Sequence, residues 1–255
     1  MLVALDKDDK RVDAFDSKKY DKDGNKYIYK CPQCHSNVIL KKGQVRMHHF
    51  AHDHNDINCG FGVGESEEHL KMKYEIKNII NKYNICNKIE LEWPLDNFIA
   101  DCYCEMVDQF NIIRKVVIEC VCKNYDYDHF VAKNEYYAKN NIYVIWIFSL
   151  RTIFKNEITD EKSIPFLSAF HINSVLKKAH TLFFGKIFAL DTETQKLYGI
   201  HFDYYSKEKR EPNIQELDNF QLNSFVARKP DKWIDFSRRI IQPYIKKWWE
   251  TKYVD

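Results

Sequence analysis

Hydrophobic and polar positions alternate most clearly between residues 98 and 123, where the chain reads FIADCYCEMVDQFNIIRKVVIECVCK. A two-residue period sends successive side chains to opposite faces of a strand. The stretch therefore predicts two strands, residues 98–106 and 115–123, joined by a polar turn. Asp101, Tyr103 and Glu105 share one face of the first strand, and Cys102 and Cys104 share the other. On the second, Glu119, Val121 and Lys123 share a face opposite Ile118, Cys120 and Cys122. Packing the cysteine faces into the core sends Asp101 and Glu119 out from the opposite side of the sheet.

Patterns on either side supply the remaining elements. Leu2, Ala4, Val12 and Ala14 alternate around the polar turn Lys7-Asp8-Asp9-Lys10, which predicts a hairpin over residues 1–16. Val38, Ile39 and Leu40 make a short strand, turned at Gly43 so that the chain returns through residues 44–52. Gly60 to Gly64 reads as a hinge. Leu70, Ile76, Ile79 and Ile80 recur on a helical period over residues 65–83, behind an acidic first turn that suits the helix dipole. Residues 89–95 alternate as a strand ended by Pro94. Residues 126–140 predict a helix with Phe130, Val131 and Tyr137 inward, and residues 142–148 (IYVIWIF) a buried strand. Residues 150–162 read as a loop or edge and 166–176 as a short helix. Residues 186–190 and 197–202 form a hairpin. From residue 232 the tail is helical, kinked at Pro243, with basic residues between aromatics. Its tryptophans either pack on the core or stack on nucleic acid.

Composition narrows this picture. The 255 residues are 45% hydrophobic and 15% aromatic, enough for one large domain or two smaller ones. A net charge of +2 gives no global case for nucleic acid, so any such surface is local. Only 7 Gly and 6 Pro argue against long flexible linkers. No apolar run is long enough to span a bilayer, and MLVALDKDDK lacks a secretory leader pattern, so the expected location is the cytoplasm. Eight cysteines in such a chain point to reduced thiols or metal rather than disulfides.

Cys31-Pro-Gln-Cys34, then His49-Phe-Ala-His52, then Cys59 have zinc-site spacing. Two cysteines two residues apart wrap an ion from a tight turn, and the hairpin brings the second pair back to it. Cys31, Cys34 and His52 lead the ligand set, with Cys59 and His49 competing for the fourth place. Four protein ligands make a structural Zn²⁺ site with no open position. His35, His48 and His54 read as solvent-exposed neighbours. Cys102, Cys104, Cys120 and Cys122 read as small buried thiols.

Asp101 and Glu119 on neighbouring strands are hard oxygen ligands of the kind that hold Mg²⁺ beside a phosphate; the alternative is a solvated face. Glu65, His69 and Lys73 are spaced four apart and form one helical stripe, either solvated or bordering those acids. Helix, three strands, helix, strand, with acids on the second and third strands, resembles the PD-(D/E)XK nuclease core.

Taken together, the chain resembles the CoiA-like competence protein family. The resemblance rests on the opening hairpin, Cys31-Pro-x-Cys34, His49-Phe-Ala-His52, Cys59, Glu65-Ser-x-x-His69 with Lys73, Asp101, Ile118-Glu119, Lys133-x3-Tyr137 and Val144-Ile-Trp146-Ile, and covers residues 1–150. It implies an α+β or α/β architecture: a small β zinc module over residues 1–62 and a restriction-endonuclease-like core over 63–150; the residue pattern beyond adds a hairpin-plus-helix extension of unknown role over 151–255. It implies a Mg²⁺-dependent deoxyribonuclease handling DNA in bacterial uptake, recombination or defence, alongside proteins of those processes. Asp101 and Glu119 would hold Mg²⁺, with Glu65 or His69 completing or orienting the shell. Two departures stand out. Val121 occupies the place of the usual lysine or glutamine, and Lys133 that of an arginine. Lys123, one strand repeat (about 7 Å) beyond Val121, or Lys133 would then position the water or phosphate. The other reading is a catalytically degenerate nuclease fold that binds DNA or protein.

Overall fold

A computed structural model describes residues 1–53, 59–62, 64–82, 86, 88–96, 98–107, 112–123, 125–153, 174–182, 185, 187–201 and 213–217. The N-terminal module is a five-stranded antiparallel sheet: β1 (Val3–Leu5), β2 (Arg11–Asp13), β3 (Tyr29–Lys30), β4 (Asn37–Lys41) and β5 (His49–His52), in the order β2-β1-β3-β4-β5. The expected hairpin is present, with Ala4 opposite Val12. Five short strands enclose a small core around Met1, Ala4, Phe50 and Phe61. Gly62 has a left-handed φ of 71°, and a Cβ there would lie 2.8 Å from Met1, so glycine lets the chain pass against the first residue.

The second sheet follows helix α1 (Glu67–Lys82). It contains β6 (Lys88–Pro94), β7 (Ile99–Val107), β8 (Ile113–Val121), and, after helix α2 (Tyr127–Lys139), β9 (Tyr143–Ser149). Helices α3 (Leu150–Ile153) and α4 (Ser174–Leu182) precede β10 (Ile187–Asp191), β11 (Lys196–His201) and β12 (Asn213–Glu216). The seven strands run β12-β11-β10-β9-β8-β7-β6, with β8, β9 and β10 parallel and the flanks antiparallel. The architecture is mixed α/β with two sheets.

Sequence chemistry sets the helix ends. Ser66 Oγ accepts from His69 N at 3.2 Å, capping α1. Asp126 accepts from His129 N at 2.7 Å at the start of α2, and Asn141, with φ of 60°, follows its end. The two helices cover opposite faces. Cys102 and Cys122 lie against Lys73 and Met72 of α1. Phe130 packs on Trp146 from α2, and Asn134 accepts from its indole at 3.2 Å. The cysteine face is therefore core, as expected. The acid face is no solvated surface, because α2 closes it.

Three differences from the sequence reading matter. Strand β8 ends at Val121, so strand parity does not extend to Lys123, which stands exposed in the bend beyond. The sheet also continues past residue 150: β10 runs beside β9, and β11 and β12 extend it, so part of the expected extension belongs to the main sheet. Residues 150–153, expected as a loop or edge, are helical as α3. Of the short helix expected over residues 166–176, only 174–176 lie inside α4; residues 166–173 and the tail from 232 lie outside the described residues.

Candidate functional site

The site forms where β7 and β8 part. Their ladder ends at Cys102 opposite Ile118, leaving Asp101 and Glu119, the next positions in register, out of it. Asp101 Oδ2 instead accepts from the backbone N of Cys120 at 2.8 Å. The other oxygen, Oδ1, lies 3.1 Å from His69 Nε2, on the first turn of α1. Glu65, just ahead of that turn, sits 3.4 Å from His69 Nδ1. Glu65, His69 and Asp101 each offer a ligand atom within 4.8 Å of one another.

Two atoms there are orphaned. Glu65 Oε2 and His69 Nε2 are buried without a hydrogen-bond partner among the described residues. Each has a charged neighbour: Met1 N lies 3.2 Å from Glu65 Oε2, and Asp101 Oδ1 lies 3.1 Å from His69 Nε2. A buried polar atom without a partner is costly, and two aimed into one acidic cluster fit a cation.

Glu119 is engaged elsewhere. It is 1% exposed, its Oε2 accepts from Lys133 Nζ at 2.7 Å, and its Oε1 accepts from the Tyr137 hydroxyl. Lys133 also donates to Ile99 O at 3.3 Å. The expected pairing of Asp101 with Glu119 at one ion is thus not the arrangement found. Asp101 groups with Glu65 and His69, while α2 holds Glu119 beside them. Of Lys123 and Lys133, it is Lys133 whose ammonium reaches the acids, at Glu119; Lys123 stays exposed, and Val121 is buried at the strand end. Lys73, 1% exposed, donates to both Glu65 and Glu92, the latter at 2.6 Å. Glu92 escaped the sequence reading because it looks like one more outward acid of an alternating strand. The break that turns it inward is a left-handed φ of 50°.

Burial opposes every charge here, and the neighbours decide the outcome. For Asp101, burial is outweighed by His69, Lys73 and Lys133, and its pKa falls well below the ordinary value. For Glu65, burial is outweighed by Lys73, and the pKa is lowered. For Glu119, burial and the Asp101 charge outweigh Lys133 and Tyr137, and the pKa rises. Burial would lower the pKa of His69, but the Asp101 and Glu65 charges carry it above 6.5. A protonated imidazole cannot ligate, so affinity for Mn²⁺ should rise with pH through that raised value and level off above it, with about one proton released per ion. In metal-free protein the sign is opposite. The His69–Asp101 contact stabilises fully below the ordinary histidine pKa and is lost as pH rises through the raised one. Mn²⁺ titrations read by electron paramagnetic resonance at several pH values check the first statement; equal affinity at pH 6 and pH 8 would refute it.

The second cluster lies in the N-terminal module. Cys31, Cys34, His52 and Cys59 bring one ligand atom each within 4.8 Å of one another, a group that could hold a metal such as zinc. Cys31 Sγ is 3.8 Å from Cys59 Sγ, and Cys34 Sγ is 3.4 Å from His52 Nε2. His49 is not in the group; its Nδ1 lies 2.8 Å from Met47 O. Burial pushes the Cys31 thiol up to about 12. Burial also acts on Cys34, but Ser36, His52 and Cys59 bring it down to about 6, so a thiolate is available near neutral pH. His35 and His48 lie outside the group, and His54 lies outside the described residues.

A Cys/His module that could hold a metal leads into a mixed sheet with acids at a strand split. The model of the competence protein CoiA N-terminal domain matches residues 12–62, and that of the CoiA nuclease-like domain matches residues 65–230. The chain belongs to the competence protein CoiA family. No curated protein and no solved structure matches it. Among the described residues, no helix is long and apolar enough to cross a membrane.

Proposed function

We propose that the chain is a divalent-metal-dependent deoxyribonuclease with a PD-(D/E)XK core, acting on DNA in bacterial uptake, recombination or defence. The observation that carries this reading is the convergence of Glu65, His69 and Asp101, two of them with orphaned buried atoms, beside the Lys133–Glu119 pair. The element order α1-β6-β7-β8-α2-β9 supports the core assignment. Two carboxylates and an imidazole suit Mg²⁺ or Mn²⁺. When bound, such an ion supplies Lewis acidity toward a phosphate and lowers the pKa of water. Asp101, held by the Cys120 amide, fixes one ligand oxygen at the strand split. His69, on the capped first turn, presents the imidazole. Lys133 places a positive charge next to the acids, where the usual lysine is replaced by Val121; it orients water or neutralises developing charge on the scissile phosphate. Tyr137 and Lys133 fix Glu119 so that this charge does not wander. The Cys31, Cys34, His52 and Cys59 group holds a structural Zn²⁺.

Purified protein should cut linear, nicked, branched or single-stranded DNA with Mg²⁺ or Mn²⁺ and not with EDTA. Asp101→Asn should abolish cleavage while leaving gel-shift binding in EDTA unchanged. A fully active Asp101→Asn variant means the site is misassigned. Val121 favours a second reading, a decayed nuclease that binds DNA or protein. Binding with no cleavage on any of the four substrates would select it.

A further inference from the structure

Lys73 faces two carboxylates that are not equivalent. Glu92 is saturated by the chain: Leu2 N lies 2.8 Å from both of its oxygens, Val3 N donates to Oε2 at 3.0 Å, and Lys73 donates to Oε1 at 2.6 Å. Glu65 also takes Lys73 on Oε1, while its Oε2 faces the Met1 ammonium at 3.2 Å and has no hydrogen-bond partner among the described residues. Glu92 reaches this place by a local rule broken in β6. Leu91 and Glu92 are buried in succession, at 1% and 3% exposure, and Trp93 stacks at 5.1 Å on Tyr103. The left-handed backbone at Glu92, with its carbonyl and that of Leu91 accepting from Arg11 Nη2 at 3.0 and 2.9 Å, replaces simple alternation. A residue carrying a Cβ, held left-handed inside a strand, is a strained feature that its surroundings must support.

We propose that Glu92 is a positioning residue of the candidate centre: it shares the charge of Lys73 as a second counter-ion, so that the ammonium is held on Oε1 of Glu65 and Glu65 Oε2 is left to ligate a cation. The inference rests on the reading of Glu65, His69 and Asp101 as a cation site. Without Glu92, the buried ammonium would be balanced by Glu65 and Asp101 alone and would repel an arriving divalent ion more strongly. Burial works against the Lys73 charge, and Glu92, Glu65 and Asp101 together hold its pKa above the ordinary lysine value. Leu2 and Val3 supply the backbone donors, so the counter-ion is built jointly by the N-terminal strand and the main sheet.

The test is a charge-pair cycle on the full chain, read as Mn²⁺ affinity by electron paramagnetic resonance, with zinc content and melting temperature recorded for each variant. Glu92→Gln should weaken Mn²⁺ binding by about tenfold or more, because it leaves the ammonium uncompensated. Lys73→Met should bind Mn²⁺ at least as tightly as wild type. Adding Glu92→Gln to Lys73→Met should change the affinity little, which restores what the single Glu92 change lost. A merely structural Glu92 would lower the melting temperature of both Glu92 variants with no such rescue. Wild-type affinity in Glu92→Gln, or a double variant as weak as it, overturns this inference alone. Wild type that binds no Mn²⁺ overturns the cation site and the inference together. If Glu92→Gln does not fold, weakened binding in Lys73→Met overturns the inference and wild-type or tighter binding sustains it.

Discussion

Removing zinc from the Cys31, Cys34, His52 and Cys59 group should unfold residues 1–62. The module's own buried cluster is small and belongs to strands of two to five residues. Such a sheet buries too little apolar surface to stand alone, and structural zinc typically supplies about 10–16 kcal/mol of binding free energy at neutral pH. Cys31 is fully buried, with its thiol pushed up to about 12 by burial, so ion binding must expel its proton and affinity should fall as pH falls. Loss of zinc should also reach the main domain, because Leu2 and Val3 sit in its core and donate to Glu92. Elemental analysis should find about one zinc per chain, since the described residues hold one complete Cys/His ligand set. Cys31→Ser should lose it and melt at a much lower temperature. Metal-free protein with an unchanged melting temperature would count against a structural ion.

Lys133→Met should cost both activity and stability. The substitution leaves Glu119 buried and unpaired apart from Tyr137, and breaking a buried pair from one side costs roughly 3–5 kcal/mol. Cleavage should drop by about 10²–10³-fold, the usual cost of deleting a preorganised group that stabilises developing charge. The two effects separate through Glu119→Gln, which should recover most of the stability in the Lys133→Met background without recovering cleavage. Lys123→Ala, at an exposed bend, should stay close to wild type. A dead Lys123→Ala with an active Lys133→Met would return the role to Lys123. Inactive wild type that gains cleavage on Val121→Lys would identify a pseudonuclease.

Most of the elements were legible because their periods are clean. The Leu70, Ile76 and Ile80 stripe predicts α1, and IYVIWIF predicts β9, each within two residues of its observed bounds. Zinc-type spacing brought Cys31, Cys34, His52 and Cys59 into view, but only the fold separates Cys59 from His49, because His49 lies on the strand two residues from the Met47 carbonyl it contacts. The grouping at the acids was legible in its members and not in its partnerships. Asp101 and Glu119 have matching parity, yet parity cannot reveal that β7 and β8 separate at their level, which sends one acid to α1 and the other to α2. Glu92 was hidden by regular alternation, and only a backbone angle exposes it. Strand β12 (Asn213–Glu216) was missed because NIQE has no apolar run to mark it.

The candidate centre stands or falls on where a divalent ion binds. A crystal soaked in Mn²⁺ and measured for anomalous scattering gives the answer directly. The predicted result is one Mn²⁺ peak, separate from the zinc at the Cys/His group, between Glu65, His69 and Asp101, within ligand distance of Glu65 Oε2 and His69 Nε2, with Glu119 still held by Lys133 and Tyr137. A peak bridging Asp101 and Glu119 with Lys133 displaced, or no peak at the strand split, would contradict it.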